Sequence, residues 1–298
     1  MEQTFYSNGK LLITGEYLVL DGATALALPT SYGQSLTVKS ISEKVIRWES
    51  IDEQDGVWFK GEFTLENFES TIPSNIATTL TTILSEARKL NSDFATASEG
   101  FEVITKLNFP KDWGLGSSST LINNIAQWAN VDAFILLENS FGGSGYDIAA
   151  AQNDIPVFFK KTNPPRVTPV HLPWGFTDQL WFIHLNQKQD SKEGIKRYRN
   201  VSTSPENIQK ITDLTSKLLL CYSLDSFEKI MNNHETIVSE IIQLPTVKSR
   251  LFSDYPHTIK SLGAWGGDFI LATGDKMDME YFRKKGYPTI LPYKKMIK

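Results

Sequence analysis

The chain has 298 residues, enough for one large or two ordinary domains with a sizeable core. A formal net charge of −4 excludes a surface devoted to holding a nucleic-acid backbone, but not a small phosphate ligand held by local amides, a lysine and a metal ion. The single cysteine, Cys221, excludes an intrachain disulfide and a cysteine-based zinc centre, and no apolar run approaches the length of a membrane span.

The first residues, Met1-Glu2-Gln3, are neither basic nor followed by a signal-type apolar core, so a cytoplasmic protein is expected. Leu11 to Leu20 is apolar-rich and the pattern resumes at Ala25 to Leu28, with Asp21-Gly22 between them as a hairpin signal. Leu36 to Ile51 and Gly56 to Leu65 predict further strands around a polar turn at Asp52 to Asp55, so the first part reads as an antiparallel meander. The period then changes: Ile76, Leu80, Ile83, Leu84 and Ala87 predict a helix over 74–90 capped by Ser74. Gly100 to Leu107 alternates as a strand, and Ser119 to Ala133 has helical spacing through Leu121, Ile125 and Trp128.

Pro156 to Phe159 predicts a short strand, and Thr162-Asn163-Pro164-Pro165 is the best linker candidate, dividing the chain into domains 1–162 and 163–298. Further on, Leu180 to Leu185 and Phe269 to Thr273 predict strands. Ser204 to Leu220, with Pro205 at its first position, Leu224 to Leu244 and Asp278 to Lys285 predict helices. Strands and helices mix without a regular βαβ repeat, which favours an α+β class. The four histidines (His171, His184, His234, His257) show no metal-ligand spacing and read as packing or surface groups.

Four segments carry chemistry. Pro110-Lys111-Asp112-Trp113-Gly114-Leu115-Gly116-Ser117-Ser118-Ser119-Thr120 places a glycine-rich bend before a predicted helix. Glycines let the backbone turn its amides inward, and the helix start adds unpaired amides and a positive dipole end, together a nest for a polyphosphate. No lysine follows the second glycine where a Walker loop needs one. In Gly142-Gly143-Ser144-Gly145-Tyr146-Asp147 a carboxylate follows a second glycine bend, to be weighed against an ordinary N-cap. Gly263-Ala264-Trp265-Gly266-Gly267-Asp268 has the glycine density of a close backbone approach. Gly9-Lys10-Leu11, with Glu16 beyond it, puts a lysine at the mouth of a strand.

In this order the segments resemble the motifs of the GHMP kinase superfamily: galactokinase, homoserine kinase, mevalonate kinase and phosphomevalonate kinase. Gly9 to Gly22 resembles the first motif, closest to the mevalonate and phosphomevalonate kinase version, and Pro110 with Gly114 to Ser118 resembles the second. Gly143-Ser144-Gly145-Tyr146-Asp147 is similar to the Gly-Ser-Gly-Phe-Asp of phosphomevalonate kinases. The literal Gly-Tyr-Asp-Ile-Ala at 145–149 resembles the signature of a bacterial GYDIA-type branch. Gly263 to Asp268 resembles the third motif. The chain departs from the pattern at Ser119 and Thr120, where alanines are usual, at Trp265, which replaces a glycine, and in a short interval between Ser118 and Asp147.

The resemblance implies a two-domain α+β fold. A ribosomal protein S5 domain 2-like N-terminal domain would bind ATP, followed by a ferredoxin-like C-terminal domain. It implies an ATP- and Mg²⁺-dependent kinase that phosphorylates a hydroxyl or phosphate of a mevalonate-like metabolite. Asp147 and Lys10 would be catalytic. Pro110, Trp113, Gly114, Leu115, Gly116, Ser117, Ser118, Ser119, Thr120, Gly263, Ala264, Gly266 and Gly267 would surround ATP. Ser118 and Glu138 would hold Mg²⁺, and Glu16, Ser144, Gly145, Lys188 and Ser191 would line the acceptor. The expected partner is a small molecule, with neither nucleic acid nor membrane, and the protein is expected as a monomer or homodimer. A diphosphomevalonate-decarboxylase-like enzyme and a non-catalytic nucleotide- or metabolite-binding relative are the alternatives. Retention of Lys10 and Asp147 together speaks against the second of these.

Overall fold

The computed structural model describes residues 2–96, 99–187, 191–201, 203–263, 265 and 268–298, with only the backbone at 191 and 192. Two compact units interleave along the chain. The first holds the chain to Gly9, Tyr32–Lys111 and Leu115–Gln152, and the second holds Lys10–Ser31, Asp112–Gly114 and Asn153–Lys298. Strands β1 (Glu2–Thr14) and β2 (Ala25–Ile41) belong partly to each.

The first unit continues with β3 (Val45–Ile51), β4 (Val57–Thr64), α1 (Asn75–Leu90), β5 (Gly100–Leu107), α2 (Ser117–Ala129), α3 (Ala133–Ser140) and α4 (Tyr146–Ala151). The expected meander is not what forms. The strand order is β4-β3-β5-β2, with β5 parallel to β3 and antiparallel to β2. The chain leaves β4, passes through α1 and returns as β5, the crossover that a parallel pair requires. Burial of the α1 stripe favours this path. Ala77, Leu80, Ile83, Leu84 and Ala87 need a partner surface, and β2, β3 and β5 supply Leu36, Val38, Ile46, Trp48 and Val103. Ser74 caps α1 as its sequence predicts, accepting the Ala77 amide at 3.1 Å. Gly100 admits β5 to its place, because a Cβ there would lie 2.0 Å from the Glu43 carbonyl oxygen and 2.2 Å from that of Val45. The helix predicted to Ala133 breaks at Asn130, which turns left-handed (φ 53°), and Asp132 caps α3.

The second unit adds β6 (Val157–Lys160), β7 (Arg166–Pro169), β8 (Leu180–His184), α5 (Ser191–Arg199), α6 (Pro205–Lys217), α7 (Leu224–Ile242), α8 (Val247–Leu251), β9 (Ile259–Ser261), β10 (Phe269–Thr273), α9 (Glu280–Lys284), β11 (Ile290–Pro292) and α10 (Tyr293–Met296). The proline-rich Thr162–Pro165 segment is the turn of a hairpin, since β6 and β7 pair antiparallel. Prolines suit both roles, because they fix the backbone and withhold a donor wherever no ladder bond is needed. The Asp21-Gly22 signal marks a turn, but not a two-residue one. A 3-10 turn, Leu18–Asp21, intervenes and Gly22 closes it at φ 92°.

A second sheet has the order β11-β8-β10-β9, with every pair antiparallel. Counted along the chain its strands lie 4-1-3-2, with helices between the first and second and between the third and fourth. This is the ferredoxin-like arrangement. Ile183, Phe252, Ile270, Ala272, Met279 and Phe282 form the core of that region. No helix among the described residues is long and apolar enough to cross a membrane.

Replacing Gly100 with valine forces side-chain carbons into the Glu43–Val45 backbone. Urea unfolding is expected to show a loss of ~2 kcal/mol or more, the scale of an overpacked site. Wild-type stability in that variant would mean that the β3–β5 contact is not close-packed.

Candidate active site

The lysine end of the candidate site lies in the second unit. β1 delivers Lys10, whose ammonium donates to the Gly114 carbonyl at 3.0 Å. Gly114 has φ 64°, and a Cβ on it would come within 2.4 Å of the Asp268 carboxyl carbon. Glycine is needed there twice, for the left-handed backbone and for the closeness of that carboxylate. Asp268 stands at the head of β10, where its carbonyl accepts the Leu185 amide at 2.8 Å. Trp113 packs edge-on against Phe269, with ring centroids 5.4 Å apart, and His184 Nε2 lies 3.3 Å from the Asp112 carbonyl oxygen. Gly263, at φ 60°, faces the same Asp268 carboxylate. The structure thus brings Lys10, Gly114, Gly263 and Asp268 together. Ala264, Gly266, Gly267, Lys188 and the Ser191 side chain lie outside the described residues.

From Leu115 onward the loop belongs to the first unit. Leu115 is buried as an anchor, and Gly116 turns left-handed (φ 90°) as the N-cap of α2. A glycine brings no side-chain acceptor to the helix start, so the first-turn amides and the dipole end are left for an anion. Pro110 is half-buried before this bend, Ser117 is half-buried and Ser118 is exposed. Ser119 and Thr120 are turned inward. The Ser119 hydroxyl donates to the Gly116 carbonyl at 3.1 Å, and the Thr120 hydroxyl lies 2.7 Å from Gln34 Oε1. The Thr120 amide is also engaged, donating to the Gly116 carbonyl at 3.0 Å. These two residues therefore support the loop from within, while Ser117 and Ser118 keep hydroxyls at its surface.

The same unit carries the second glycine bend, with Gly142, Gly143 and Gly145 at φ 70°, 111° and 95°. Gly145 is the N-cap of α4 and Asp147 lies in its first turn, so the carboxylate is not the cap. Ser144 and Asp147 are half-buried, and Glu138 is exposed on α3. No three His, Cys, Asp or Glu side chains gather as a metal centre among the described residues.

Glu16, expected to touch an acceptor, is instead a buried support. Its Oε1 accepts from the Lys260 ammonium, and its Oε2 lies 3.2 Å from His234 Nε2. Lys260 also reaches Glu235 Oε1 at 3.1 Å, and Glu235 Oε2 accepts the Ser261 hydroxyl at 2.7 Å. All four charged or titratable groups are buried. The Gly15 amide donates to His234 Nε2 at 2.9 Å, so that nitrogen is an acceptor and the imidazole is neutral, its proton on Nδ1. Burial drives the His234 pKa well below its ordinary value, and the Lys260 charge adds to this. Burial lifts the Glu16 carboxyl to about 7 against the opposing pull of Lys260. A proton on the Glu16 carboxyl removes the repulsion between a carboxylate oxygen and the His234 Nε2 lone pair 3.2 Å away.

Next to Glu16 the backbone is strained. Tyr17 sits at φ 64° and ψ −51°, and the Leu18 amide donates across it to the Glu16 carbonyl at 2.7 Å, a positive-φ γ-turn. The Tyr17 ring stacks on Tyr198 of α5 (centroids 5.7 Å), and Gly194 on the same helix leaves room for the Tyr17 hydroxyl, which would be 2.6 Å from a Cβ. Tyr198 donates to Asp21, and Arg199 pairs with Asp21 at 2.7 Å. Burial resists ionisation of Asp21, but these two bonds outweigh it and hold its carboxyl below the usual range. The first-motif turn is thus the seat of α5. Trp265 occupies a left-handed position (φ 60°) with its indole buried and its ring centroid 5.9 Å from the Lys260 ammonium.

Lys260, Glu235, Tyr198 and Asp21 are absent from the sequence-derived site. A signal exists for two members of the cluster: His234 and Glu235 occupy the same helical face of α7 as Phe227, Ile230, Met231, Val238 and Ile242. Polar residues at core positions of an amphipathic helix need buried partners.

The folded chain holds a proton on Glu16 up to about pH 7, and the unfolded chain releases it near 4.5, so stability falls as pH rises through that window. Glu16→Gln removes this dependence. The stability of the variant minus that of the wild type is expected to rise by on the order of 3 kcal/mol across the window and then level off. Urea unfolding at a series of pH values measures it, and parallel curves would rule out a titrating Glu16.

No protein-family model and no curated protein matches the sequence. Solved structures do match along almost the whole chain. Methanococcus jannaschii mevalonate kinase aligns with a TM-score of 0.69 at 14% identity, covering 98% of this chain and 97% of its own. Streptococcus pneumoniae phosphomevalonate kinase, in complex with phosphomevalonate and AMPPNP, aligns with a TM-score of 0.71 at 13% identity, covering 97% and 99%. Lactococcus lactis galactokinase, complexed with galactose, aligns with a TM-score of 0.69 at 15% identity, covering 97% and 92%. Mevalonate kinase, phosphomevalonate kinase and galactokinase are all GHMP kinases, and this chain has the two-domain α+β GHMP kinase fold.

Proposed function

We propose that the chain is an ATP-dependent small-molecule kinase that transfers the γ-phosphate to a hydroxyl or phosphate of a mevalonate-like metabolite, acting in the cytoplasm. The observation that carries this reading is the loop from Gly114 to Ser118. It has two left-handed glycines, a helix start with no side-chain cap, and a lysine bonded to its first carbonyl. Such a loop is built for an anion held by backbone amides. In the domain reading, residues 1–162 carry the nucleotide end and residues 163–298 form the ferredoxin-like partner.

Phosphoryl transfer needs positioning and charge stabilisation more than covalent help. The amides of Gly114 to Ser118 bind and orient the phosphates, and Lys10 stabilises charge on the transferred group. Asp147, half-buried at the start of α4, accepts or orients the proton of the acceptor hydroxyl. Mg²⁺ bound with the nucleotide supplies charge neutralisation between the phosphates. The exposed Ser118 hydroxyl and the exposed Glu138 carboxylate suit it as oxygen ligands. Ser144 and Gly145 border the acceptor, while Glu16 acts on it only through the turn it supports.

Mevalonate, phosphomevalonate, homoserine and sugars offered with Mg-ATP should include one acceptor that is phosphorylated. Folded protein that binds ATP yet transfers to none would favour a binding-only relative, and carbon dioxide release from a diphosphorylated acid would favour a decarboxylase. With the acceptor in hand, Asp147→Asn is expected to lower kcat at least ~100-fold while ATP affinity, read by calorimetry, persists. Equal turnover would remove Asp147 from the mechanism. Lys10→Met is expected to cost a similar ~100-fold in kcat, and undiminished turnover would reduce Lys10 to a structural tie for Gly114.

A further inference from the structure

The first unit contains a file of buried polar side chains that the proposed chemistry does not use. Gln152, directly after α4, donates from Nε2 to Asn123 Oδ1 at 2.9 Å. Asn123 Nδ2 donates to Ser7 Oγ at 2.8 Å, and Ser7 Oγ donates to Asn124 Oδ1 at 2.7 Å. Asn124 Nδ2 donates to the Gln34 carbonyl at 2.9 Å, and the Gln34 side chain meets the Thr120 hydroxyl. Ser7, Gln34, Thr120, Asn123 and Asn124 are all buried, and Gln152 alone is exposed.

From Gln152 to the Gln34 carbonyl the bonds run in one direction: Asn123 and Asn124 each accept at the side-chain oxygen and donate from the nitrogen, and the Ser7 hydroxyl takes one bond and gives one. The last bond runs the other way, from the Thr120 hydroxyl to Gln34 Oε1. Bonds in such a file polarise one another, and an unpaired member in this buried setting loses its solvation without return. The file begins beside the helix that carries Asp147. It ends at Thr120, in the first turn of the helix that carries the phosphate loop.

The helix α4 needs such a tie. It has six residues and a glycine N-cap without a side-chain bond, too short to hold its place by propensity. Its buried residues are Ile148, Ala149, Ala150 and Ala151. Three of these four are alanines, which permit close approach but give little relief, so Ile148 is the one large side chain among them to resist rotation about the helix axis. The directional Gln152–Asn123 bond fixes what that surface leaves free.

We propose that this file of amides and hydroxyls sets the orientation of α4, and with it Asp147, against the phosphate-loop helix. Asn123, Ser7 and Gln152 are then positioning residues for phosphoryl transfer. The inference rests on the kinase reading for its catalytic consequence, but not for its structural one. A shared device also predicts that breaking it at either of two distant links costs the same, which tests coupling directly rather than by proximity.

The experiment compares wild type, Gln152→Leu, Ser7→Ala and the double variant in the full chain. Gln152→Leu is expected to lower kcat about tenfold with the KM for ATP within about twofold, because phosphate binding by α2 is untouched. Ser7→Ala is expected to match it, and the double variant to stay near tenfold. Unchanged kcat in Gln152→Leu, or a double variant near a hundredfold, overturns the proposal. If the wild type phosphorylates no acceptor, amide hydrogen exchange decides instead. Residues 146–151 should exchange about tenfold faster in Gln152→Leu while α3 stays at its wild-type rate, and equal rates in α4 overturn the proposal whatever the protein's activity. If Ser7→Ala does not yield folded protein, Gln152→Leu with its exposed site is read alone by both measurements.

Discussion

The Lys260 ammonium is fully buried, and the second unit is arranged around the need to neutralise it. Removing one charge from water costs several kcal/mol, which is recovered only by partners placed within contact distance. Two of those partners come from far along the chain, Glu16 after β1 and Glu235 on α7, and the third is the carbonyl of the neighbouring Ser261. One ammonium between two carboxylates leaves an excess of negative charge, and a proton on Glu16 removes it near neutral pH. His234 completes the group as a neutral acceptor for the Gly15 amide. The strained turn at Tyr17 persists because both flanks are held, by this cluster on one side and by Tyr198 and Asp21 on the other. The lysine strand and the seat of α5 therefore share one electrostatic anchor.

In the first unit the same problem is solved with neutral groups. The starts of α2 and α4 are both glycine-capped, which leaves each helix end without its usual side-chain tie. Buried amides and hydroxyls replace that tie from behind, at Thr120, Asn123 and Asn124. The alanines usual at the positions of Ser119 and Thr120 have no polar atom to offer such a network. The departure from the motif is thus an inward-facing feature and leaves the loop surface unchanged.

Local interactions were readable in the chain. The Ser74 cap of α1, the helix start at Pro205, and the strands at 100–107 and 269–273 depend on neighbours a few residues away. The glycines at 114, 116 and 145 were readable for the same reason, since a left-handed turn before a helix is a local event. The meander reading failed because propensity names a strand but not its neighbour. β5 takes the place beside β3 through the burial of α1 and the bare backbone of Gly100. The prolines at 164 and 165 marked an interruption correctly, but an interruption alone does not say whether two domains or two paired strands flank it.

The sequence by itself determined the α+β class, the order of the glycine-rich segments and the place of the bend before α2, because each is written in residues close together in the chain. Only the tertiary structure decided that Glu16 is a buried support, that Lys260, Glu235 and His234 are its partners, and that Thr120 faces the core. The reason is physical. A lysine in a three-residue strand has no local feature that marks it as buried, and the cost of burying it is met by carboxylates 244 and 25 positions away.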